Sequence, residues 1–195
     1  MTSSGVVLYG PPGSGKDTIT SELTRLRANF ALFERLKAGP GRTTGYRLTT
    51  VDRIEELSRA GELLYRNARY DAEYAIDRRG VAALVDDGRI PVLHMGQVVG
   101  ASAVAAFPLH WIRVLLWCPL EVTESRSAGR RDRDVEARVK AWHETREDLL
   151  AHETEPWTLT LRTDQLSPTE SANAIIDALA ATASAESRDI QELVG

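Results

Sequence analysis

The stretch Tyr9-Gly10-Pro11-Pro12-Gly13-Ser14-Gly15-Lys16-Asp17-Thr18 has the residue types and spacing for chemistry on phosphate. Gly10, Gly15 and Lys16 meet the pattern G-x-x-x-x-G-K of a phosphate-cradling loop. Glycines let the backbone take positive φ and turn N–H groups toward an anion. Lys16 adds a point charge for the outer phosphates. The residue after Lys16 is Asp17, where a Ser or Thr hydroxyl usually holds Mg2+, and Thr18 follows. A carboxylate is also a hard oxygen ligand, so two metal ligands stand as candidates: Asp17, directly or through water, or Thr18 after a shift of register. Asp17 also has a plainer reading, as an acid complementing the dipole of the following helix.

A second cluster is cationic. Ala128-Gly129-Arg130-Arg131-Asp132-Arg133-Asp134 holds no large apolar residue and reads as a polar loop. Arg130 and Arg133 are the expected catalytic partners of Lys16, because bidentate Arg–phosphate contacts suit a lid that closes over a transferring phosphoryl group. The alternative is a solvated loop that ends the helix before it. His110, His143 and His152 show no metal spacing, and no Ser-His-Asp or Cys/His arrangement stands out.

Regular elements must position these groups. Gly5–Tyr9 reads as a buried strand entering the glycine loop, and Asp17 to Arg27 as the helix leaving it. Short strands are expected around the turn Gly39–Gly45, a helix capped by Thr50 over Val51–Arg59, a strand over Leu63–Arg66, and a turn at Asp71–Tyr74. A helix follows from about Asp77 to Asp87, then a buried strand Ile90–Met95 and a short helix from Gln97 to Phe107. Trp111–Trp117 reads as a strand, Pro119 to Ser127 as a helix and Val135–His152 as a long helix. Strand Trp157–Arg162 and helix Pro168–Ala181 complete the pattern, ahead of a polar tail. Strands alternating with helices predict a parallel sheet covered on both faces, with ligand at the carboxyl ends of its strands.

Composition narrows the classes. The 195 residues suit one domain, and 43% hydrophobic content supports a proper core. A net charge of −4 offers no basic field for nucleic acid or an anionic membrane. No apolar run reaches the roughly 20 residues of a membrane span, and the N-terminus lacks signal-peptide character. One cysteine, Cys118, makes no internal disulfide. The expectation is a cytoplasmic protein, monomer or homodimer, without nucleic-acid or membrane partners.

From about residue 5 to 180 the order of these pieces resembles the guanylate kinase-like branch of nucleoside monophosphate kinases. The loop is similar to that family's G-P-S-G-x-G-K. Tyr46 stands where the family's substrate-phosphate Tyr stands, and Tyr74 resembles the second Tyr of its Y-Y-G turn. Arg126, Arg130 and Arg138 resemble its lid and post-lid arginines, although Arg138 has a surface ion pair as an alternative. Thr163-Asp164 falls at its adenine-contacting strand end. The unusual Asp17 also matches the loop of ribose 1,5-bisphosphate phosphokinases, G-P-S-G-S-G-K-D-S, and Lys37 falls where a phosphate-binding Arg would be. The resemblance implies an α/β P-loop kinase with a central parallel sheet flanked by helices, a small substrate-binding insertion and an Arg-rich lid. The whole of 1–195 would be one domain, with a core at 1–30 and 88–185, a substrate region at 31–87 and a lid at 126–138.

The implied activity is ATP-dependent, Mg2+-assisted phosphoryl transfer to a phosphorylated small molecule. Gly10, Pro11, Gly13, Ser14, Gly15, Lys16, Asp17, Thr18, Arg126, Arg130, Thr163 and Asp164 would hold ATP. Lys37, Arg42, Tyr46, Tyr65, Tyr74, His94 and Arg138 would face the acceptor. Several of these have structural alternatives: Arg42 as a solvated turn residue, Tyr46 and Tyr74 as core aromatics, His94 as a satisfied core histidine. The family reads guanine with a Glu and an Asp, and the corresponding positions here are Tyr65 and His94. The expected acceptor is therefore a nucleoside monophosphate other than GMP, with a ribose bisphosphate phosphokinase as the alternative. A non-catalytic binding module would be expected to lose Lys16 and the lid arginines, and a GTPase should show an N-K-x-D motif, which is absent.

Overall fold

Val6, Val7, Leu8 and Tyr9 are all fully buried, the mark of a strand covered on both faces. In a computed structural model, which describes residues 3–69, 71–129, 135–181 and 193, they form the middle of the protein. The chain runs through β1 (Ser4–Tyr9), α1 (Lys16–Leu26), β2 (Phe30–Leu32), β3 (Arg35–Ala38), β4 (Tyr46–Leu48) and α2 (Val51–Arg59). It continues with β5 (Leu63–Arg69), β6 (Ala72–Asp77), α3 (Arg78–Asp86), β7 (Ile90–Met95) and α4 (Val98–Ala105). It then passes through β8 (His110–Trp117), α5 (Leu120–Gly129), α6 (Val135–Ala151), β9 (Leu159–Arg162) and α7 (Pro168–Ala180).

Five strands make a parallel sheet in the order β2-β7-β1-β8-β9. Alternation along β1 divides the core in two. Val6 and Leu8 join Ile19, Leu23, Val114, Leu116, Ile175 and Ile176 under α1 and α7. Val7 and Tyr9 join Leu93, Met95, Val98, Leu115, Trp117 and Trp142 under α4 and α6. Both faces are thereby covered, and the functional edge is left at the carboxyl ends of β1, β7 and β8.

A second sheet, β4-β3-β6-β5, stands beside the first. Here one expectation is corrected. Asp71–Tyr74 is not a turn, because Ala72–Asp77 form β6, antiparallel to both β3 and β5. Glu73 reads as a turn residue in isolation, and Asp77 as the start of the following helix. In the sheet they are neutralised by cross-strand arginines: Arg66 donates to Glu73 at 2.9 Å, and Arg47 pairs with Asp77. Asp71, just before β6, is left-handed at φ 57°. Thr50 caps α2 by accepting from Arg53 N–H at 3.2 Å, as its position implied. Ser167 and Glu170 form a reciprocal capping box on α7. Among the described residues, no helix is long and apolar enough to cross a membrane.

Candidate active site

The loop between β1 and α1 closes as its glycines allow. Gly13 and Gly15 take φ 77° and 87°. At Gly10 a Cβ would lie 2.1 Å from the Leu116 carbonyl oxygen and 2.8 Å from Ser14 Oγ, so only glycine fits there. Ser14 is fully buried and donates its N–H to Pro11 O at 3.2 Å. Gly15 precedes α1 without a side-chain cap, so the helix's first-turn N–H groups remain for an anion.

Lys16 lies across the mouth of this loop. Its ammonium donates to Gly10 O at 2.6 Å, Pro11 O at 2.9 Å and Ser14 Oγ at 3.3 Å. Burial lowers its pKa to about 8; Asp17 and Cys118 work against that shift, and the charges of Arg35 and Arg138 add to it. Three cations from β3, α1 and α6 therefore bear on one point, which favours a polyanion there.

Asp17 and Thr18 face different ways. Thr18 lines a cavity of about 280 Å³ with Gly13, Gly15, Arg126, Thr163, Leu166 and Pro168. Asp17, largely exposed, has Oδ1 3.6 Å from Nδ1 of His94. His94, next to last in β7, lies beside Leu8 of β1. The other ring nitrogen, Nε2, is 2.7 Å from the Thr20 hydroxyl, which itself donates to Lys16 O at 2.9 Å. A hydroxyl both donates and accepts, so the direction of the Thr20–His94 bond follows the tautomer of the ring. Burial first, then the Lys16 charge, push the His94 pKa down to about 4, and Asp17 opposes this. The imidazole is thus neutral at pH 7, with Nδ1 on the side of the carboxylate. Among the described residues no cluster of three or more His, Cys, Asp or Glu side chains could hold a metal unaided. A cation here would take Asp17 as its charged ligand and complete its shell from phosphate and water.

Arg126 straps the 280 Å³ cavity. It donates to Gly13 O at 2.8 Å and to Thr163 O at 2.6 Å, tying the loop to the end of β9. Asp164 is turned to Arg162, in bonds of 3.0 and 2.9 Å, and is not among the lining residues. Arg130 and Arg133, with Arg131, lie outside the described residues, so the central part of the expected lid is not placed.

A larger cavity of about 360 Å³ lies between the second sheet and α6. Tyr46, Tyr65 and Tyr74 line it, as does Arg35. The Tyr46 and Tyr74 rings pair at 5.4 Å, with the Arg35 guanidinium 5.7 and 5.1 Å from their centroids. Tyr65 donates its hydroxyl to Gln97. Lys37 and Arg42 are not among the lining residues, although the Lys37 ammonium lies 5.9 and 6.0 Å from the Tyr46 and Tyr74 ring centroids. Lys37 is buried and donates to the carbonyls of Gly39 and Pro40, holding their turn; Arg42 is exposed and donates to Thr44 O at 3.0 Å. His94 belongs to the phosphate loop rather than to this cavity.

Sequence reasoning missed Arg35, Asn67, Arg69, Gln97, Glu144 and Asp148, all on the cavity wall. Glu144 and Asp148 are four apart on α6 and share a helix face, and that spacing was the available signal. Asp148 is engaged by the fold: its Oδ2 accepts from Tyr9 OH at 2.8 Å and from Val98 N–H at 2.7 Å. Glu144 pairs with Arg69.

No family model matches this chain, and no curated protein matches it. Solved structures do. A guanylate kinase from Anaplasma phagocytophilum superposes with a TM-score of 0.63 at 17% identity, covering 92% of this chain and 85% of the other. A sugar kinase from a Janibacter species gives 0.57 at 20%, covering 93% and 96%. A shikimate kinase from Acinetobacter baumannii gives 0.49 at 15%, covering 92% and 94%. At these identities the first two establish the fold alone: an α/β architecture with a central parallel sheet flanked by helices.

Proposed function

We propose that this protein is an ATP-dependent phosphotransferase that adds a phosphoryl group to a phosphorylated small molecule, a nucleoside monophosphate other than GMP. The observation that carries this reading is the placement of Lys16 at a glycine loop that lines one cavity, with Arg35 from the wall of the other bearing on its charge. The cavity between Arg126, Thr163 and Pro168 takes the donor nucleotide. The cavity under Tyr46, Tyr65 and Tyr74 takes the acceptor. Residues 31–87 act as the substrate region and 126–138 as the lid, with Arg130 and Arg133 closing on the transferring group.

Transfer of this kind needs positioning and charge neutralisation more than covalent chemistry. Loop N–H groups and the α1 N-terminus orient the phosphates, and Lys16 stabilises charge as the bond to the leaving oxygen weakens. Arg35 and Arg138 extend this field toward the acceptor. A Mg2+ ion, when bound, would neutralise the phosphate oxygens, and Asp17 is the residue that would hold it.

GMP is disfavoured because Tyr65 and His94 stand where guanine-reading carboxylates are expected. The carboxylates near the acceptor, Glu144 and Asp148, come instead from α6 and are already paired or hydrogen-bonded. A ribose bisphosphate phosphokinase is the second reading, favoured by Asp17 after the loop lysine. An acceptor panel of GMP, other mononucleotides and sugar phosphates, with ATP and Mg2+ and ADP release as readout, separates these. Turnover with a mononucleotide other than GMP is expected; brisk GMP turnover would refute the reading of Tyr65 and His94. Turnover with sugar phosphates alone would select the second reading.

A further inference from the structure

Asp17 and His94 face each other across the loop, with Oδ1 3.6 Å from Nδ1. Nε2 of His94 lies 2.7 Å from the Thr20 hydroxyl, which is anchored on the Lys16 carbonyl. With the ring proton on Nε2, the Thr20 oxygen accepts it and Nδ1 offers a lone pair beside the Asp17 carboxylate. This is the arrangement of a metal-ligating histidine, in which the second ring N–H is fixed by an oxygen so that the first is aimed at the ion. The sheet enforces it: β7 lies parallel to β1 with His94 opposite Leu8, so the end of β7 stands against the start of α1. Two donors each about 2.1 Å from an ion at ordinary ligand angles lie roughly 3.0–3.5 Å apart, close to the spacing found.

We propose that Asp17 and His94 form an N,O chelate for a divalent transition cation, Mn2+ being the probe, that binds together with the phosphates of the donor nucleotide. The proposal rests on the nucleotide reading above, because Lys16 and Arg35 make the site too cationic for an ion alone and phosphate oxygens must complete its shell. Mg2+ prefers an all-oxygen octahedron and keeps its waters, whereas an imidazole ligand favours transition ions. The chelate therefore sets a metal preference at a loop where Asp17 alone would accept Mg2+.

The experiment is pulsed EPR on the full chain with Mn2+ and ADP, beside calorimetry of Mn2+–ADP and Mg2+–ADP binding. Nitrogen coupling from one imidazole is expected, with Mn2+–ADP bound about tenfold more tightly than Mg2+–ADP. In His94→Gln, which keeps an N–H donor for Thr20, the coupling should vanish and the preference fall within twofold. Asp17→Asn, at an exposed position, should also reduce the preference while leaving the fold intact. Mn2+–ADP bound without nitrogen coupling in the native chain would overturn the chelate and leave the nucleotide reading standing. Failure of both metal–nucleotide complexes to bind would overturn the chelate and the nucleotide reading together.

Discussion

Arg69 on β5 and Glu144 on α6 form an ion pair that joins the small sheet to the main body across the rim of the larger cavity. Both side chains are partly exposed, so the pair adds little to stability, at most about 1 kcal/mol. Its consequence is positional, since it fixes the distance between the tyrosine wall and α6. Glu144→Gln should leave the melting temperature within a few degrees and raise KM for the acceptor several-fold more than KM for ATP. Steady-state kinetics with each substrate varied in turn would check this, and equal effects on both would refute it.

Lys16→Ala should reduce kcat by at least about 100-fold, because a charge aimed at the developing phosphate charge is lost. Stability should not fall. The Lys16 ammonium is desolvated, which lowers its pKa to about 8, so its removal takes away a buried cation. Coupled ADP-release assays and thermal melts on one preparation test both parts. A melting temperature several degrees lower would show that the carbonyl contacts of Lys16 hold the loop together.

Gly10→Ala should destabilise the fold by at least about 3 kcal/mol, because the new methyl meets the Leu116 carbonyl of the neighbouring strand. Gly88→Ala makes the comparison: it also has positive φ, at 70°, but no atom lies within 4 Å of the added methyl. Its cost should be only the backbone strain, about 1 kcal/mol. Urea unfolding of the two variants measures the difference, and equal losses would refute the close-contact argument.

Glu22 clamps α1 to α7 by accepting from Arg25 on its own helix, at 2.8 Å to each carboxylate oxygen, and from Thr169. The hydrogen bonds from Arg25, then Thr169, lower its pKa to about 2. The native state then binds fewer protons than the unfolded state below the ordinary Glu value. This contribution is present above about pH 4.5 and is lost as pH falls toward 2. Melting temperatures of the native chain should drop more steeply between pH 5 and 2 than those of Glu22→Gln. Parallel curves would show that the clamp carries no proton linkage.

The β1–loop–α1 unit was legible in the sequence because its determinants are local. An apolar run, glycines at fixed spacing and an amphipathic helix follow one another directly in the chain. The expected strands Ile90–Met95 and Trp111–Trp117 appear as β7 and β8 for the same reason, since burial on both faces leaves continuous apolar runs. β6 was not legible, because Glu73 reads as a turn residue until Arg66 is brought beside it. Lys37 suits a phosphate by type and place, and only the fold shows that its ammonium meets two nearby carbonyls and lies over the Tyr46 and Tyr74 rings.

The amino-acid sequence by itself determined the phosphate loop, the alternation that makes a covered parallel sheet and the unusual Asp17, all properties of neighbours along the chain. The tertiary structure alone decided what stands opposite them. Arg35, Glu144 and Asp148 reach the same cavity from elements far apart in sequence, and no local periodicity records that meeting. His94 is the clearest case. Read along the chain it is the polar end of a strand. Only the pairing of β7 with β1 sets its Nδ1 against Asp17 and its Nε2 against Thr20, because strand register, not sequence distance, chooses a side chain's neighbours.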